Sequence, residues 1–167
     1  MHVFTWLLSQ LRINYIYFSR NSIYIKIFIL LIFVQITFGA FTSGLDAGMV
    51  YQTWPLMNQN YFPDDIIFDN NIFNFFNQPS FVQFLHRNLA YIIVVYTLMI
   101  LFFVLRKRRV HLHRAAFLLV FIIFLQAFLG VLTLLSGVNI VFALMHQLST
   151  IFLLLFSIYF YYKSLIQ

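Results

Sequence analysis

Four apolar stretches dominate the chain, at about residues 25–42, 82–105, 115–135 and 140–162. Each is of the length, ~17–25 residues, that a helix needs to cross ~30 Å of hydrocarbon. In lipid a backbone must satisfy its own hydrogen bonds, so runs of this length are expected to be helices. Only 8% of the residues are charged and 63% are hydrophobic, whereas a soluble domain carries about 25% charged residues. The expected fold class is therefore all-α: an integral membrane four-helix bundle.

Charge placement orients it. All four acids (Asp46, Asp64, Asp65, Asp69) fall in one connection, residues 43–81, which also holds the three prolines. The bases Arg12, Arg20, Lys26, Arg106 to Arg109, Arg114 and Lys163 fall at the other ends of the spans. Four spans place both termini on one side, and basic connections stay on the cytoplasmic or matrix side. The acidic loop is then outside, its aromatics Tyr51, Trp54, Tyr61, Phe62 and Phe73 suggesting a position on the membrane surface. This segregation speaks against a nucleic-acid partner despite the net charge of +6.

Residues 1–24 lack a basic lead and a small-residue cleavage site, so they read as an interfacial arm, not a signal peptide. Residues 25–167 form the expected four-helix domain. The chain contains no cysteine and no glutamate. Disulfides, thiolate metal sites, a cysteine nucleophile and a carboxylate-lined proton pump or di-metal centre are all excluded.

Two passages repeat. Gln35-x-x-x-Gly39-x-x-Thr42-Ser43-Gly44 is similar to Gln126-x-x-x-Gly130-x-x-Thr133, with Ser136-Gly137 shortly after. Each passage precedes an outer connection and a helix with a histidine near its outer end, Val82-Gln-Phe-Leu-His86 and Phe142-Ala-Leu-Met-His146. The bundle is thus expected to be two pseudo-repeated helical hairpins, with Gly39 and Gly130 permitting close helix approach.

Ionisable residues at membrane depth are functional by default. His86 and His146, at matched depth on separate helices, suit the two axial positions of one haem iron. The alternative for each is a hydrogen bond to a neighbouring helix. Arg87 has two readings, a fork for a haem propionate and a side chain reaching the outer headgroups. Gln35, Gln83, Gln126 and Gln147 are candidates for orienting a histidine, for propionate binding and for interhelical hydrogen bonds. Tyr51 and Trp54-Pro55 read as an interfacial anchor or as a lid. His111 and His113 belong to the opposite, basic face and cannot share the site.

A family resemblance rests on an ordered series of residues. It runs Gln35…Gly39-Ala-Phe…Gly44-Leu-x-Ala-Gly48…Tyr51-x-Thr-Trp54-Pro55-Leu-Met57, then Asn77 and Val82-Gln-Phe-x-His86-Arg87…Ala90-Tyr91. It continues with Gln126…Leu129-Gly130…Thr133-Leu and Leu144-x-His146-Gln147. Over roughly residues 30–155 this resembles the haem A synthases of bacteria and mitochondria. The resemblance implies an oxidoreductase that converts the methyl group of haem O to the formyl group of haem A for cytochrome c oxidase assembly.

It also implies a family architecture of two related four-helix halves, of which this chain looks like the carboxyl half. That half holds haem b through His86 and His146, with Arg87 and Gln147 as further cofactor contacts and no catalytic residue of its own. The implied partners are membrane lipid, the amino-terminal half or another copy of the chain, haem O and haem A, and an unidentified electron donor. The implied location is a bacterial cytoplasmic or mitochondrial inner membrane. A non-catalytic bis-histidine cytochrome, a truncated inactive fragment and a cofactor-free scaffold are the rival readings.

Overall fold

The computed structural model describes residues 23–68 and 70–165. The expected amino-terminal arm, apart from Ile23 and Tyr24, lies outside the described residues, as does Asp69. Four long helices make the structure: α1 (Ile23–Gly44), α2 (Pro79–Arg106), α3 (Val110–Leu135) and α4 (Ile140–Leu165). The described residues contain no strand, only an isolated bridge between Met57 and Asn60. All four helices are long and apolar enough to cross a membrane, so the protein is an integral membrane protein. At ~1.5 Å per residue they exceed the ~30 Å of hydrocarbon, and they run past the apolar stretches into the headgroup layers.

The helix ends follow local chemistry. Pro79 opens α2, where its missing N–H costs nothing. The basic turn after α2 closes with Arg109 N–H on the Val104 carbonyl at 3.2 Å and Arg108 in a left-handed conformation. The α3–α4 turn is tight. Gly137, at φ 70, and Val138, at φ 59, reverse the chain, and the Asn139 side chain accepts the Val141 N–H at 2.9 Å to cap α4.

Each helix packs on its neighbours in chain order, and α1 meets α4 to close the ring. Much of the outward surface is apolar, as Leu30, Phe102, Phe121 and Phe152 show; in lipid this is the expected solvent face. The repeat is visible in the coordinates. Thr42 and Thr133 each donate back to the carbonyl four residues earlier, Phe38 and Leu129, at 2.8 Å.

The two ends of the bundle differ. The apolar core cluster draws on Ile25, Phe28 and Ile32 of α1, Ile93 to Val104 of α2, Leu112 to Ile123 of α3, and Leu153 and Phe160 of α4. All of these lie in the halves of the helices nearest the basic turn. Buried hydroxyls there return to their own helices, Thr97 to the Ile93 carbonyl and Ser157 to the Leu153 carbonyl. The outer halves bring glutamines, glycines and histidines together instead.

Candidate functional site

His86 lies seven residues beyond Pro79, and His146 six beyond Ile140. Their helices start on the same side, so both imidazoles sit ~9–10 Å along from the outer helix ends. Each is gripped from the other helix of its own hairpin. The Gln35 amide nitrogen on α1 lies 3.4 Å from His86 Nε2 and donates to the His86 carbonyl at 3.1 Å. The Gln126 amide nitrogen on α3 lies 3.3 Å from His146 Nδ1 and donates to the His146 carbonyl at 3.0 Å.

The second grip is fuller. The Gln126 amide also donates to Thr150 Oγ1 at 2.6 Å, and Ser149 donates to Gln126 Oε1. His146 Nδ1 lies 3.1 Å from the Gln126 backbone carbonyl. One turn on from each glutamine is a glycine. A methyl group at Gly39 would stand 3.2 Å from His86 Cε1, and one at Gly130 would stand 3.0 Å from His146 Cε1. Both rings therefore lie against bare backbone.

Arg87 is held by the outer loop. Its guanidinium donates to the Tyr51 carbonyl at 2.8 Å, the Thr53 carbonyl at 2.9 Å and the Leu56 carbonyl at 3.3 Å. Gln83, buried, donates to the same Tyr51 carbonyl at 2.9 Å. The loop is thereby latched to the start of α2. Tyr51 is the second latch: its side chain is 3% exposed, and its hydroxyl meets Asp64 Oδ1 at 2.6 Å and Asp65 Oδ1 at 2.9 Å. Ser80 on α2 donates to Asp65 as well. Burial, reinforced by the two carboxylates, holds the Tyr51 phenol well above its ordinary pKa.

Trp54 is exposed, so Tyr51 and Trp54-Pro55 do not act as one unit. Gln147 is also exposed on α4, next to the inward-facing His146. His111 and His113 sit at the basic end, away from this constellation.

Buried polar atoms without a hydrogen-bond partner point to the same place. Among the described residues these are Gln35 Oε1, Gln83 Oε1, His86 Nδ1, Arg87 Nε, Tyr91 OH and His113 Nε2. All but the last belong to Gln35 of α1 and to residues between Gln83 and Tyr91 of α2. Unsatisfied buried polar groups are rare in folded proteins, and a cluster of them calls for a strained, functional or ligand-binding explanation. Two imidazoles on α2 and α4, with free donors and acceptors on the His86 side, form a donor set suited to a haem iron and its carboxylates. Ser149, Thr150 and the glycine–imidazole contacts are the site features that sequence reading did not assign; the spacing of three and four residues from His146 was the available signal.

Comparison with known proteins shows the family. Residues 10–158 match the COX15-CtaA family, described as cytochrome oxidase assembly protein. A haem A synthase of Pelagibacter ubique is 39% identical over 153 residues, covering 91% of this chain and 45% of the relative. One from Bartonella bacilliformis is 41% identical over 133 residues, covering 78% of this chain and 37% of the relative. One from Rickettsia africae is 35% identical over 147 residues, covering 87% and 43%. The chain thus spans under half the length of these curated relatives. No solved structure matches it. With a family match across most of its length and the duplicated histidine hairpin to go with it, the chain belongs to the cytochrome oxidase assembly family that contains the haem A synthases.

Proposed function

We propose that residues 25–167 are the haem-b-binding, carboxyl-terminal half of a haem A synthase, contributing to the oxidation of the haem O methyl group to the haem A formyl group. The observation that carries this reading is the pair of imidazoles at one depth, each seated by its own hairpin, amid unpartnered buried polar atoms. His86 and His146 would hold the haem iron. Bound haem b would supply one-electron transfer toward the oxidation.

The chain's own residues bind and orient. Arg87 would pair a propionate through its free Nε while the rest of its guanidinium holds the loop, and Gln147 would serve at the exposed rim beside His146. The latched loop and the Tyr51 carboxylate cluster exclude water from the outer end. Catalysis at the substrate haem belongs to the remaining length of the relatives, whether joined to this chain or separate from it, or to another copy of it. Lipid surrounds the bundle, haem O and haem A are its substrate and product partners, and an electron donor meets it from outside this chain. The termini lie on the cytoplasmic or matrix side of a bacterial cytoplasmic or mitochondrial inner membrane, with the 1–24 arm at that interface.

The test is spectroscopic. The purified chain should show a low-spin bis-histidine haem spectrum that His86→Ala and His146→Ala each abolish. A folded, colourless wild-type protein would sink the haem reading. Co-expression with the remaining portion of a relative should convert haem O to haem A only when this chain is present. Haem binding without that dependence would leave the second reading, a bis-histidine membrane cytochrome.

A further inference from the structure

We infer that Gln35-x-x-x-Gly39 and Gln126-x-x-x-Gly130 are a duplicated imidazole cradle that seats the rings of His86 and His146 and, in the second copy, fixes the tautomer; this rests on the haem reading above. Residues four apart share a helix face, so each glutamine and its glycine meet one ring from the same side. The glycine admits the ring edge to the backbone of the facing helix, where an added methyl group would stand 3.0–3.2 Å away. Each glutamine amide donates to its histidine's carbonyl and lies beside a ring nitrogen, His86 Nε2 in the first copy and His146 Nδ1 in the second.

Valence counting assigns the tautomer in the second copy. The Gln126 amide has two N–H groups, and they are taken by the His146 carbonyl at 3.0 Å and Thr150 Oγ1 at 2.6 Å. Ser149 fixes the other end of the amide by donating to its oxygen. With no hydrogen left for it, His146 Nδ1 faces the Gln126 backbone carbonyl at 3.1 Å, an acceptor, and must carry the proton itself. Its Nε2 lone pair is then the one free for a metal, the usual arrangement of a ligating histidine with its second nitrogen on a carbonyl.

The first copy is looser for a reason the sequence contains. The positions three and four after His86 are Leu89 and Ala90, where the second copy has Ser149 and Thr150. With no hydroxyl at those positions, Gln35 Oε1 remains without a partner. His146 is therefore the rigid ligand and His86 the adjustable one.

The test uses the full chain in detergent, titrated with haem b, reading affinity and the low-spin electron paramagnetic resonance signature. Loss of an outer partner of a metal ligand typically costs 10–100-fold in affinity. Gln126→Leu and Gly130→Ala should weaken binding about 10- to 100-fold and alter the signature, with Gln35→Leu doing less. Gly44→Ala, whose methyl group would meet nothing within 4 Å, should match wild type. If Gln126→Leu and Gly130→Ala keep wild-type affinity and signature while His146→Ala loses haem, the cradle is overturned and the haem reading stands. If wild type forms no low-spin haem, the haem reading fails, and nitrogen-15 spectra of the haem-free histidines decide the cradle alone. A single Nδ1–H tautomer for His146 in wild type that becomes mixed in Gly130→Ala supports it. A tautomer mixture already present in wild type overturns it.

Discussion

Replacing Arg87 by Met should open the outer loop while leaving the bundle intact. Methionine keeps much of the length and apolar body of the side chain but removes the fork that meets three backbone carbonyls. Two of those contacts, at 2.8 and 2.9 Å, have good geometry; the third, at 3.3 Å, is weak. Hydrogen bonds from a charged donor contribute about 1.5–3 kcal/mol each, and the low end applies at this partly exposed position. Several effects offset the loss. The Tyr51 carbonyl keeps Gln83, the Leu56 carbonyl keeps Thr53 Oγ1 at 2.9 Å, and the unpartnered Nε is removed with the fork. Rotamer freedom regained by the released side chain subtracts further.

The net is about 2 kcal/mol, or about 30-fold in the open population of the loop. Hydrogen exchange followed by mass spectrometry reads this directly. The Met57 amide, bonded to the Asn60 carbonyl at 2.8 Å, and the Asn58 amide, bonded to Thr53 Oγ1 at 2.7 Å, should exchange about 30-fold faster. Amides of α3 and α4 should not change. Arg87→Lys, which keeps the charge but not the fork, should fall between. Unchanged exchange at Met57 and Asn58, or equal acceleration throughout the bundle, would refute the latch.

Other outcomes follow from the same contacts. Tyr51→Phe removes the hydroxyl shared by Asp64 and Asp65 and should loosen the loop by about 1–2 kcal/mol, seen as faster cleavage in limited proteolysis. Because the folded-state pKa of Tyr51 is raised, its contribution is fully present below the ordinary phenol range near ~10 and is lost as pH rises through the raised value. Wild-type loop protection should therefore hold through neutral pH and fail only in strong base, while Tyr51→Phe shows no such alkaline step. Phe28→Ala, at a fully buried ring stacked on Tyr96 at 6.2 Å, should destabilise the basic half. The loss should fall near the low end of the ~3–5 kcal/mol found in soluble cores, because lipid supplies an apolar alternative for the transfer part; thermal denaturation in detergent measures it.

The fold class was legible because length and apolarity alone decide it in a bilayer. The apolar runs ending at Thr42, Leu105, Leu135 and Tyr162 lie within the observed helices. The matched histidines were legible through the repeat, without any three-dimensional information. The partners of Arg87 were not. Neither were the opposite fates of Gln126 and Gln147, one buried in the histidine's grip and one exposed. In a soluble helix the polar stripe would separate these faces. In α1 and α3 almost every position is apolar, so the pattern does not say which face turns inward.

What the sequence determined by itself is a four-span membrane bundle of two hairpins and a pair of histidines at matched positions on their helices. These are properties of composition, run length and spacing along the chain, all of which survive without knowing how any helix is rotated. Tertiary structure decided which side chains touch: glutamine on imidazole, glycine under the ring edge, Arg87 and Tyr51 on the loop, and the apolar core confined to the basic half. Those contacts join residues 13 to 51 positions apart. They depend on the rotation and separation of packed helices, which the whole set of interlocking side chains settles together and no local pattern records.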